Sequence, residues 1–169
     1  LTLRAQYKHI DRDTIDLSIE ALEEAAMQPA ARFYDEAARK SDRMSLVAEV
    51  MPTSSLGLSF SWGKGKDDYQ EADPTQEFGL LDNDNTSWTV GLSYAPSNKV
   101  NVGADYGRDE FSALQQSRNA NPAPDPSWTD PNRNWTMSND ETVNTFTAYV
   151  DLIKALAKTD IRAAFIVSR

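Results

Sequence analysis

Period-two alternation of apolar and polar residues recurs seven times in 169 residues and predicts an all-β chain, folded as an antiparallel up-and-down meander. Two further observations make the meander a transmembrane β-barrel wall. Its connectors run long, short, long, short, long, short, which places short turns on one rim and long loops on the other. The aromatics of the apolar face gather toward the expected strand ends, as interfacial girdles require, whereas a β-sandwich core places its large rings mid-strand.

The first strand sets Leu1, Leu3, Ala5 and Tyr7 against Thr2, Arg4, Gln6 and Lys8. The second alternates Met44, Leu46, Ala48 and Val50 with Ser45, Val47 and Glu49. In the third, Leu56, Leu58, Phe60 and Trp62 oppose Gly57, Ser59 and Ser61. The fourth opposes Trp88, Val90, Leu92 and Tyr94 to Ser87, Thr89, Gly91 and Ser93, and the fifth Val100, Val102, Ala104 and Tyr106 to Asn101, Gly103 and Asp105. Phe146, Ala148 and Val150 mark a sixth strand; Ile161, Ala163, Phe165 and Val167 mark a seventh. Each contributes about nine residues, near the ~9–11 needed to cross a bilayer when tilted.

Met51–Ser54 and Ala95–Lys99 read as tight reversals, and Leu152–Thr159 as a longer link with one helical turn. The long stretches are 10–41, 63–84 and 107–141; the first holds a helical pattern over Ser18–Met27, stopped by Pro29. No domain boundary interrupts the pattern, so residues 1–169 read as part of one outer-membrane β-barrel domain. The chain begins and ends within strands, and bacterial single-chain barrels use an even number of strands from 8 upward. The seven strands are therefore expected to be an interior piece of a larger barrel.

Composition narrows the function classes. With 17 Lys+Arg against 26 Asp+Glu the net charge is −9, opposite to the basic surface a nucleic-acid binder needs. There is no cysteine, hence no disulfide, thiolate metal site, thiol nucleophile or covalent c-type haem attachment. One histidine, His9, cannot make a multi-histidine metal site. No Ser-His-Asp set can be assembled, and Gly63-Lys64-Gly65-Lys66 lacks the helix a phosphate loop requires. No catalytic, cofactor or metal site is expected on this chain, and no enzyme.

The candidate functional residues are of two kinds. Arg4, Lys8, Glu49, Asp105 and Arg162 fall on the polar face and are the candidates for lumen contacts. Tyr7, Trp62, Trp88, Tyr94 and Tyr106 fall on the apolar face as membrane-interface anchors. Three weaker features read structurally first. His9 reads as an interfacial residue before a haem ligand, and Asp82-Asn83-Asp84-Asn85 as a solvated turn before a calcium loop. Asp67-Asp68 with Glu71 and Asp73 reads as a solvated acidic loop before a dock for a basic partner.

Several stretches resemble the MtrB/PioB family of decahaem-associated outer-membrane proteins. They are Arg32-Phe33-Tyr34-Asp35-Glu36-Ala37, Lys40-Ser41-Asp42-Arg43, Asp67-Asp68-Tyr69, Phe78-Gly79-Leu80-Leu81 and Trp88-Thr89-Val90-Gly91-Leu92-Ser93-Tyr94-Ala95-Pro96-Ser97. Ser112-Ala113-Leu114-Gln115-Gln116-Ser117-Arg118 and Asp151-Leu152-Ile153-Lys154-Ala155-Leu156 extend the likeness along most of the chain. The resemblance implies a porin-like barrel in the outer membrane that sheathes a periplasmic multihaem c-type cytochrome and supports electron transfer across that membrane. The haem would belong to the partner, and the long loops would face the exterior, where an extracellular cytochrome could dock. A diffusion porin for small solutes is the alternative reading, and a soluble β-sandwich binding module the second.

Overall fold

A computed structural model describes residues 1–13, 38–69, 79–118, 131–156 and 158–169. They form one seven-stranded antiparallel sheet in sequential order. Its strands are β1 (Thr2–Arg12), β2 (Arg39–Thr53), β3 (Leu56–Tyr69), β4 (Gly79–Ser97), β5 (Val100–Arg118), β6 (Asn134–Leu156) and β7 (Thr159–Ser168). A 3-10 turn at Pro131–Arg133 leads into β6. The helical pattern at 18–27, the Arg32–Ala37 motif, Glu71 and Asp73 lie outside the described residues.

The hairpin ends follow local chemistry. β2 and β3 join through Ser54-Ser55, where the Ser55 backbone N–H donates to Thr53 Oγ1 at 3.4 Å. β4 and β5 join through Asn98-Lys99, and the Lys99 N–H donates to Ser97 Oγ at 3.3 Å. Between β6 and β7 the described residues form no helical turn where one was expected: β6 continues to Leu156. An irregularity between Leu152 and Leu156 takes up the slack, with Lys154 at φ 52° and its N–H held by Asp160 Oδ1 at 2.7 Å.

Register keeps the alternating apolar residues of successive strands on one face. Leu3 pairs with Ala48, Ala48 with Phe60, Phe60 with Val90, Val90 with Tyr106, Tyr106 with Phe146 and Phe146 with Val167. Nothing covers this face among the described residues. No large side chain is fully buried, and Leu3, Tyr7 and Phe165 are 66%, 60% and 62% exposed. A soluble sandwich would bury these residues against a second sheet, and a soluble monomer rarely leaves bare a patch beyond a few hundred Å². The β-sandwich reading is therefore set aside. No helix among the described residues is long and apolar enough to cross a membrane; the crossing elements of a barrel are strands.

Strand length is where expectation and structure part. β4 and β5 have 19 residues each and β6 has 23, about twice the nine expected. The apolar face still ends at the anticipated aromatics, so Trp88 and Tyr106 lie mid-strand and mark the edge of the band instead of the end of the strand. Beyond Tyr106, β5 continues through Gly107–Arg118 with polar residues on both faces. Asp82-Asn83-Asp84-Asn85, expected as a turn, is an interior stretch of β4, paired with Gly65–Asp68 on one side and Phe111–Leu114 on the other. Ser112–Arg118, expected as loop, belongs to β5.

The edge of the band also reports strand tilt. Tyr7 on β1 shares a register row with Met44 and Lys64; Trp62 and Trp88 lie one outward position lower, and Tyr106 and Phe146 one lower again. At ~3.3 Å per residue and ~4.8 Å per strand, this drift inclines the band by roughly 25–35° to the register rows, approaching the 35–45° tilt of closed barrels.

Candidate functional site: the polar face of the sheet

Alternation that sends the apolar residues one way sends Arg4, Lys8, Glu49, Asp105 and Arg162 the other, onto a shared polar face. The structure gathers some of them. Glu49 and Asp105 lie in one register row, linked through Ser59 and Gly91, and both line an open hollow of about 340 Å³. Lys8 borders a second hollow of about 270 Å³ with Arg43, Gly63, Gly65 and Asn85. Arg4 enters neither hollow. Arg162 stands apart on β7, its Nε 3.4 Å from Asp151 Oδ1 and its guanidinium 4.5 Å from the centre of the Tyr149 ring.

Gly57, Ser59 and Ser93 line the first hollow, and Tyr149 and Asp105 border it over neighbouring glycines. The Tyr149 ring lies across its cross-strand partner Gly103, so closely that a Cβ there would collide with the ring carbons. Gly91 is closed over in the same way by the Asp105 carboxylate and the Ser59 hydroxyl. Any side chain at either glycine would push these groups off the sheet.

Toward the long-loop end, the polar face carries a buried ion cluster. Asp67, whose side chain is 4% exposed, accepts from Arg43 Nη2 at 2.6 Å and lies 3.8 Å from Arg39 Nε. Arg43 also donates to the carbonyls of Asp42 and Lys66, each at 3.0 Å. Burial pushes the Asp67 carboxyl up, but hydrogen bonds from Arg43 and Ser41, with the charges of Arg43 and Arg39, together outweigh it. Its pKa therefore lies below the ordinary carboxylate value of 3.8. The adjacent Asp68 points to the opposite face and pairs with Lys66 at 3.1 Å. Asp67 and Asp68 of the expected acidic loop are thus strand residues with separate partners, because β3 runs through to Tyr69.

The aromatics occupy the rim of the apolar band. Trp88 and Tyr106 contact each other, ring centres 5.5 Å apart and planes at 55°. Tyr106 donates to Asn144 Oδ1 at 3.0 Å and Tyr7 to Asp42 Oδ1 at 2.6 Å, each placing a polar tip where apolar residues give way to polar ones. Tyr94 lies at the short-turn end, opposite Leu56 and Val102. His9 shares the outward face with Tyr7, its Nδ1 2.8 Å from Asp42 Oδ1, turned away from the polar face.

Arg43, Tyr149, Asp151 and Asp109 were not among the candidate site residues, although Arg43 and Asp151 fall in the family-like stretches. Arg43 and Asp109 have the right parity for the polar face, but each adjoins an expected strand end at Met44 or Tyr106. Tyr149 was visible only as a large residue among small ones. Among the described residues no group of His, Asp and Glu could hold a metal ion.

A family model described as "Putative outer membrane beta-barrel porin, MtrB/PioB" matches residues 1–157. No curated protein and no solved structure matches the chain.

Proposed function

The chain belongs to the MtrB/PioB family of outer-membrane β-barrel porins, and from that premise we propose that it is wall of a barrel sheathing a periplasmic multihaem c-type cytochrome. The sheet is porin-like, and porins are a non-enzymatic kind of protein. The observation that carries the membrane role is the uncovered apolar face, continuous over seven strands and edged by aromatics. Both edges of this sheet, β1 and β7, are free of partners among the described residues. Lipid does not tolerate open edges, so further strands complete the barrel.

The polar face is then the lumen lining, with Arg4, Lys8, Glu49, Asp105 and Arg162 in contact with whatever fills it. Haem irons in the partner carry the electrons. The wall replaces lipid around a charged, water-soluble protein and excludes hydrocarbon from it. The long loops face the exterior, within reach of an extracellular cytochrome. The family and the polar lining support this reading; the cysteine-free chain is compatible with haem residing in the partner.

A diffusion porin is the second reading, favoured by the uncharged Gly/Ser/Thr floor on β3 and β4. The full-length protein, extracted in detergent, separates the two by its visible spectrum. A stoichiometric c-type haem Soret band is expected; a colourless preparation that conducts ions in planar bilayers overturns the sheath.

A further inference from the structure

On the polar face, charge is sorted around the wall at the level of the aromatic girdle. Lys8 is one residue beyond Tyr7 on β1, and Arg4 three residues before it. Asp105 is one residue before Tyr106 on β5, and Asp109 three beyond it. Both pairs therefore lie within three residues of the same interface, and four strand spacings, ~19 Å, separate them. Among the described residues none of the four makes an ion pair. The floor between, from Ser61 and Gly63 on β3 to Ser87 and Thr89 on β4, is uncharged and low.

The other polar-face charges near this level do not blur this division: Glu141, paired with Phe111, lies on the acidic side. Arg43 is committed to Asp67, and Arg162 to Asp151. Glu49 lies five residues below Met44, near the short turn.

Uncompensated charges of opposite sign, held ~19 Å apart on a rigid sheet, create a field directed around the wall rather than along the strands. Solvation alone would not require such sorting, since either sign hydrates equally well on either strand. We infer that this collar docks a dipolar face of the protein inside the barrel, acidic side chains toward Arg4 and Lys8 and basic ones toward Asp105 and Asp109. The low floor between lets a broad surface approach closely. Like charges meet at other rotations, so the collar fixes the occupant's azimuth about the barrel axis. This inference rests on the sheath reading and adds the chemistry of the occupant's surface.

The test uses the full-length protein with its co-purifying partner. One variant carries Arg4→Glu, Lys8→Glu, Asp105→Lys and Asp109→Lys, which reverses the dipole at constant net charge. Barrel assembly is checked by heat-modifiable gel mobility, and haem retention is followed over a salt series. At low salt, retention is expected to weaken by ~10-fold or more against wild type. Retention equal to wild type overturns the dipolar dock and leaves the sheath standing. If the reversal does not assemble, the milder pair Lys8→Gln with Asp105→Asn decides: a several-fold loss supports the dock, and no loss overturns it. A wild-type preparation without haem overturns the sheath, and the dock with it, even where the reversal shifts ion selectivity.

Discussion

The lower and upper halves of the same strands are built on different principles. Below the girdle, β5 alternates Val102, Ala104 and Tyr106 with Gly103 and Asp105; above it, Arg108, Glu110 and Ser112 alternate with Asp109, Phe111 and Ala113. The hydrogen-bond register runs unbroken through both. The lower half therefore depends on its surroundings, because its outward apolar residues need lipid. The upper half depends on itself. It is held by the backbone ladder and by polar pairs such as Arg108 Nε to Glu110 Oε1 at 2.8 Å, Lys66 with Asp68, and Asp67 with Arg43. Strand continuity does not define the membrane boundary here; the end of the apolar band does.

The largest effect should come from a charge on the lipid side of the lower half. Val90→Arg is expected to destabilise the barrel by about 2–4 kcal/mol, whereas Thr86→Arg, four residues along the same face and past Trp88, should cost at most about 1. Reversible urea unfolding in lipid vesicles measures both, and equal costs would erase the distinction between the halves. Gly103→Val tests the opposite face of the lower half. Its side chain must displace the Tyr149 ring and with it the Arg162 contact, an expected loss of about 1–3 kcal/mol by the same assay.

In the upper half, Asp67→Ala leaves Arg43 half-exposed with only its carbonyl partners. A loss of about 1–2 kcal/mol is expected, concentrated in slower-exchanging amides of β2 and β3 by hydrogen exchange. The same carboxylate sets a pH dependence. Its folded pKa lies below the unfolded 3.8, so its contribution is present above 3.8 and fades as pH falls through the lower folded value. Acid below about pH 4 should loosen this end in wild type, and Asp67→Asn should lack that step.

These two principles also decide what the sequence could reveal. All seven strands, their order and their faces were legible below the girdle, since a lipid-facing side must be apolar and a small, polar lining contrasts with it. Above the girdle both faces meet water or polar neighbours, and the contrast vanishes. Asp82-Asn83-Asp84-Asn85 carries the composition of a turn, yet the ladders of β3 and β5 hold it extended. Gly107–Arg118 was hidden for the same reason. The polar-face residues within the band were recoverable by parity, but the seat of the Tyr149 ring depends on which glycine it crosses, which only cross-strand register fixes.

Because the chain has no cysteine, single cysteines can be placed along the outward face of β5 and carry a nitroxide in lipid vesicles. Accessibility to oxygen and to a water-soluble nickel chelate is then read at positions 102, 104, 108, 110 and 112. The account predicts oxygen-rich, nickel-poor sites at 102 and 104, with a switch to nickel-accessible sites from 108 onward while the strand continues. Uniform accessibility along the strand, or protection extending to 112, would contradict it.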